Sequence, residues 1–231
     1  MTILEEALND LKRNVAELGW DVYQQVVETK EALLNFDPAR ARMVNEREKY
    51  IDAREIQLDR ECENILALYS PVATDLRLVI ASLKIILYLE RVGDNANSIA
   101  KYVLQTEQRF PEDLLEELRI PQCFQTAEKM VQLAIKAYET EDTSLTKEIF
   151  ELDSSVNEAN KKAAERLENL VRKDIDKYLH PGLYALSTVR KLERIGDLAK
   201  NIVEEVVFYV EAKILRHKKK LEGEKWKNLF K

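Results

Sequence analysis

The sequence predicts an all-α protein made of two repeated three-helix bundles, six long antiparallel helices in total. Three observations lead there. Gly and Pro number only 5 each in 231 residues, too few for the turns of a β-sandwich or an α/β fold. Between the prolines, apolar residues recur at steps of three and four, the helical period. The segment Leu89–Asp94 (LERVGD) returns as Leu192–Asp197 (LERIGD), 103 positions later, which marks an internal repeat.

Each element follows from local chemistry. Thr2 and Glu5 form a capping box ahead of the row Leu4, Leu8, Leu11, Val15, Leu18, Val22, Val26, Leu33. Asp37-Pro38 reads as the N-cap and first residue of a second helix. That helix carries Ala41, Val44, Ile51, Leu58, Cys62, Ile65 and Tyr69. A third starts near Pro71 and runs through Leu76, Ile80, Leu83 and Leu87 to about Gln105. After a loop at Pro111, a fourth carries Ile120, Phe124, Ala127, Val131, Ala134 and Tyr138. A fifth, capped by Asp142 or Thr143, carries Leu145, Ile149, Leu152, Val156, Ala163, Leu167 and Leu170. The sixth begins near Pro181 and reaches Ile214. Several exceed ~25 residues, as helices in antiparallel bundles do. The expected units are 1–108 and 112–220, followed by a basic tail, 221–231.

Composition excludes much chemistry. With two histidines (His180, His217) and two cysteines (Cys62, Cys123), a Cys/His zinc site cannot be built and a disulfide framework is out. Both cysteines sit on apolar rows and read as inert core residues. No apolar run approaches the ~18 residues of a membrane span, and the acidic N-terminus does not read as a signal peptide. The net charge of −6 is uneven. Residues 212–231 carry +6 and the rest −12. An acidic body argues against nucleic acid as partner. The tail, with Leu221, Trp226, Leu229 and Phe230 among basic residues, reads as a solvated terminus, or else as an anchor to an anionic surface.

The repeated segments carry paired acids. Residues i and i+4 share a helix face, so Glu90 pairs with Asp94 and Glu193 with Asp197. The enclosed Gly93 and Gly196 imply that another surface comes close to the backbone there. Glu90 also continues the row Leu76, Leu83 at steps of seven, which places an acid on a core-facing row. On the preceding helix, Glu48 and Asp52 are a second i, i+4 pair. Antiparallel helices joined at Pro71 set Asp52 level with Glu90 and Glu48 level with Asp94. The same reasoning, with a turn near residue 175, sets Asn157 level with Glu193 and Asp153 level with Asp197. Four facing carboxylates repel unless protonated, paired or metal-bound, and oxygen ligands suit hard or borderline cations. The expected metal ligands are Glu48, Asp52, Glu90 and Asp94, then Asp153, Asn157, Glu193 and Asp197. Asn157 should weaken the second site by offering a neutral carbonyl oxygen. Glu55 and Asp59 are second-choice ligands nearer the turn. The competing reading is a set of solvated surface ion pairs such as Glu90-Arg91.

Residues Ser70–Ala100 and Leu192–Val210 resemble the two signatures of the PhoU family, regulators of bacterial phosphate uptake. The first has P-x-A-x-D-L-R, with Asp75 and Arg77, followed by L-E-R-V-G-D. The second has L-E-R-I-G-D followed by N-I-x-E at Asn201–Glu204. The resemblance spans the chain to about Ile214 and implies two three-helix repeats. It also implies a cytoplasmic negative regulator, not an enzyme. Its implied partners are a phosphate ABC transporter ATPase and a membrane sensor histidine kinase, and it implies a homodimer. The membrane would be met only peripherally, through those partners. Some members carry iron or zinc clusters on the paired acids, so the resemblance puts iron or zinc ahead of manganese or magnesium at the eight positions above. Leu198 stands where the family often has His. The alternative reading is a carboxylate-bridged metalloenzyme on a helical bundle. That class needs a Glu-x-x-His motif, and neither histidine follows a Glu at that spacing.

Overall fold

The Thr2 hydroxyl accepts a hydrogen bond from the backbone N–H of Glu5, and the Glu5 carboxylate accepts one from the backbone N–H of Thr2, so the first helix starts where the capping box sets it. In the computed structural model, which describes residues 2–106 and 108–215, this helix is α1 (Ile3–Asn35). Asp37 caps α2 (Pro38–Tyr69) through the N–H groups of Ala39 and Arg40. A tight turn at residues 70–72 leads to α3 (Ala73–Gln105). At 33 residues, α1 and α3 are each about 50 Å long. The second half repeats the scheme with α5 (Ile120–Thr140), α6 (Thr146–Lys173) and α7 (Ile175–Glu211). No strand occurs among the described residues.

Three boundaries differ from the sequence reading. The loop at Pro111 contains a short helix, α4 (Glu112–Glu117), whose Leu114 and Leu115 are buried. Helix α7 starts at Ile175, so Pro181 lies inside it and not at its start. Asp174 is the reason: it ends α6, and its side chain accepts from the N–H of Lys177. Helix α7 stops at Glu211, short of Ile214. The basic tail lies outside the described residues.

In each half the three helices pack on one another. The halves meet through α1 against α5 and α3 against α7. The outer helices α2 and α6 touch no long helix of the other half. One hydrophobic cluster runs through both halves, from Leu11 and Leu18 through Ile86 and Phe124 to Val203. Burying each such side chain contributes roughly 1.5–3 kcal/mol.

Helix α3 shows why periodicity alone misleads. Its expected row, Leu76, Leu83 and Leu87, is half-buried or exposed, while Val79, Ser82, Ile85, Ile86, Leu89 and Val92 are buried. With α1, α2 and α7 all against it, most of the circumference of α3 is covered, and the expected row faces the remaining edge. Glu90 therefore sits on a half-buried rim and not on a core-facing row.

Polar links bridge the halves. Lys84 of α3 meets the buried Glu205 of α7 at 3.1 Å, and Lys30 of α1 meets Glu128 of α5 at 3.1 Å. The buried Ser82 hydroxyl lies 2.8 Å from that of Tyr138. Arg77 donates to the carbonyl of Tyr209 at 3.2 Å, satisfying one of the free carbonyls at the end of α7.

Candidate metal centre

Glu48 lies on the buried row of α2 between Val44 and Ile51, and is only 5% exposed. Opposite it, Gly93 opens the α3 backbone. A Cβ there would stand 3.3 Å from Glu48 Oε2 and 3.5 Å from Gln25 Nε2. Gln25, buried on α1, donates to Glu48 Oε2 and also to the carbonyl of Gly93 at 3.3 Å. Glu48 Oε1 is buried and has no hydrogen-bond partner, and neither has Gln25 Oε1.

The antiparallel register sets Asp94 beside Glu48, whose carboxyl it pushes up, and Asp52 acts on both Glu48 and Glu90. Burial pushes Glu48 up to about 8, with Asp94 and Asp52 adding to the rise while Gln25 offsets part of it. Burial also pushes Glu90 up to about 7, helped by Asp94, Glu55 and Asp52. Glu55 is raised by burial and by Asp59, Asp52 and Asp94, so it belongs to this cluster more closely than its distance along the helix suggested.

The second repeat places Asp153, Asn157, Glu193 and Asp197 together but completes the arrangement differently. Lys200 extends its ammonium between two of the acids, 2.7 Å from Asp153 Oδ2 and 2.9 Å from Asp197 Oδ1. Asn157 turns its amide N–H, not its carbonyl, toward Asp153 Oδ2 at 2.8 Å. Burial raises Glu193, with Asp197 and Asp153 adding and Lys200 opposing. Met130 stands against Gly196 where Gln25 stands against Gly93. The two clusters share a cleft of about 620 Å³ between α3 and α7, lined by Asp94, Glu193 and Asp197 together with Arg91, Lys191 and Arg194.

Among the described residues, no three His, Cys, Asp or Glu side chains stand gathered as a ready set of ligands. The donor chemistry nevertheless fits a hard cation in repeat one. There the donors are carboxylate oxygens, a buried one accepts no hydrogen bond, and among the described residues no Lys or Arg forms an ion pair with any of the four acids. It does not fit in repeat two, where an ammonium already occupies the space between the acids. Sequence reasoning missed Gln25 and Lys200. Both left a signal: Gln25 interrupts the apolar row beside Val22 and Val26, and Lys200 stands at i+3 from Asp197. Cys62 and Cys123 are free and buried, and burial pushes their thiols up, to about 12 and about 11.

These features define a class: an all-helical tandem repeat whose ionisable groups lie between helices and converge on the seam of its halves. Residues 15–103 and 120–206 each match the PhoU domain. The PhoU homolog of Pseudomonas aeruginosa, a phosphate-specific transport system accessory protein, is 34% identical over 212 residues, 91% of this chain and 86% of that one. The accessory protein PhoU of Escherichia coli K12 is 30% identical over 210 residues, again 91% and 86%. The crystal structure of PhoU from Pseudomonas aeruginosa matches with a TM-score of 0.84 at 32% identity, covering 90% of this chain and 99% of that one. The phosphate transport system regulatory protein PhoU of Streptococcus pneumoniae shares the fold, with a TM-score of 0.82 at 24% identity. The chain belongs to the PhoU family.

Proposed function

We propose that this protein is an accessory regulator of a phosphate-specific transport system, damping uptake and phosphate-starvation signalling through protein contacts and not through catalysis. The observation that supports the reading is that both repeats match the PhoU domain, in a chain that aligns over 91% of its length with a relative named as a phosphate-specific transport system accessory protein. The partners we infer are the ATPase of the phosphate transporter and a membrane sensor histidine kinase, met by a homodimer at the cytoplasmic face. No described helix is long and apolar enough to cross a membrane, so contact with the membrane would run through those partners. The acidic body disfavours nucleic acid. A pull-down from the membrane fraction should recover the ATPase or the kinase. Phosphate-starvation genes that stay repressed in a strain lacking the protein would overturn the reading.

We also propose that repeat one holds a metal ion, with iron or zinc ahead of manganese or magnesium, through Glu48, Asp52, Glu90 and Asp94. The buried, donor-less Oε1 of Glu48 supports this. Bound there, the ion would supply the positive charge that cancels the repulsion among the acids. Elemental analysis of protein purified without chelator should find metal, and Glu90→Ala with Asp94→Ala should remove it from repeat one.

A further inference from the structure

The two repeats share a backbone plan but not a charge plan. Gly93 and Gly196 are matched, as are Asp94 and Asp197, and each glycine faces an acid of the preceding helix, Glu48 or Asp153. Three residues beyond the second acid, repeat one has Asn97 and repeat two has Lys200. Asn97 is 4% exposed, and its Oδ1 has no hydrogen-bond partner. Lys200 bonds an acid from each helix, Asp153 of α6 and Asp197 of α7. A second donor, the Asn157 amide, also bonds Asp153 Oδ2. Asp153 is buried and Asp197 half-exposed, and the positive charge that offsets them comes from within the chain.

We propose that Lys200 is the built-in cation of the second repeat: its ammonium takes the place of a metal ion, so metal binding in this protein is confined to repeat one. The ammonium spans α6 and α7 as an ion would, holds Asp153 Oδ2 and Asp197 Oδ1, and puts a positive charge where a metal ion would have to sit. Any metal-dependent change then acts on the α2–α3 pair alone, while α6 and α7 stay joined whatever the metal supply. The half of this inference that concerns repeat one rests on the proposed metal reading; the half that concerns Lys200 can be tested apart from it.

The test uses the full chain carrying Glu90→Ala and Asp94→Ala, so that only repeat two can report. Into this background go Lys200→Asn, which supplies the residue of repeat one, Lys200→Met, which removes the charge while keeping much of the length, and Lys200→Arg, which keeps the charge. Each protein is exchanged into manganese(II) or zinc(II), separated from free metal and assayed for metal content and thermal midpoint. We expect the Asn and Met variants to gain metal that the background lacks. Their midpoints should fall in chelator and rise again with metal. The Arg variant should gain none and show no metal-dependent shift. Metal uptake by the Lys200 background, uptake by the Arg variant, or no uptake by both neutral variants would each overturn the proposal, as would neutral variants that fail to fold and are not rescued by metal. Wild-type protein holding no metal would instead remove the repeat-one reading and leave the Lys200 result standing.

Discussion

Glu48 shows how one residue can set a pH response. Its carboxyl is pushed up to about 8, and that of its neighbour Glu90 to about 7, from the ordinary 4.5. In chelated protein the folded state therefore holds these protons more tightly than the unfolded chain does. That contribution to stability is fully present below about pH 4.5 and is lost as the pH rises through 7 and 8. The thermal midpoint of chelated protein should therefore fall, relative to Glu48→Gln, between pH 5 and pH 8, because the amide keeps the shape without the charge. Circular dichroism melts at several pH values check this, and a gap between the two proteins that does not change with pH would contradict it. Glu48 was legible in the sequence because it replaces an apolar residue in a regular row. Lys200 was harder to find, since a lysine at i+3 from an acid usually makes only a weak surface pair.

At the scale of elements, the outer helices are the least anchored. Helix α2 packs on α1 and α3 alone, and its seam with α3 carries like charges that weaken it when no cation is present. Truncating Glu90 and Asp94 should thus remove metal and yet leave the metal-free protein no less stable, a comparison that urea unfolding in chelator decides. A clear loss of stability in the double variant would mean that these acids already have stabilising partners. Element boundaries were legible wherever a side chain makes the cap, as Thr2 and Asp37 do. Pro181 misled because proline favours the first turn of a helix, whereas here Asp174 starts the helix earlier and the proline lies inside it.

The whole molecule depends on the seam between its halves. Ser82 of α3 and Tyr138 of α5 are both buried, and their hydroxyls are each other's partners across that seam. Tyr138→Phe leaves the Ser82 hydroxyl unpaired, which should cost about 1–3 kcal/mol. The loss should appear in one transition common to both repeats, because a single cluster fills both. Circular dichroism, which reports all the helices, and Trp20 fluorescence in a Trp226→Phe background, which reports repeat one, should trace the same urea curve in parent and variant. Separate transitions would show that the halves fold independently.

The sequence by itself determined the helical class, the repeat, most helix ends and the level at which the acids meet. All of these follow from rules that act over one turn of helix or across one short hairpin: capping, the 3.6-residue period, and the register imposed by a tight turn on antiparallel neighbours. Glu48 faces Asp94 because the turn at residues 70–72 leaves no other pairing. Only the tertiary structure decided which side of α3 is buried, that Gln25 reaches Glu48, that Lys200 fills the second cluster, and that both clusters open on one cleft between α3 and α7. The physical reason is that burial and pairing depend on neighbours far along the chain. Helix α3 is covered by α7 more than 70 residues later, and no local period records that contact. The two LER-x-GD segments are nearly identical, yet one lies against a glutamine and the glutamate it bonds and the other against a methionine and a lysine-paired aspartate.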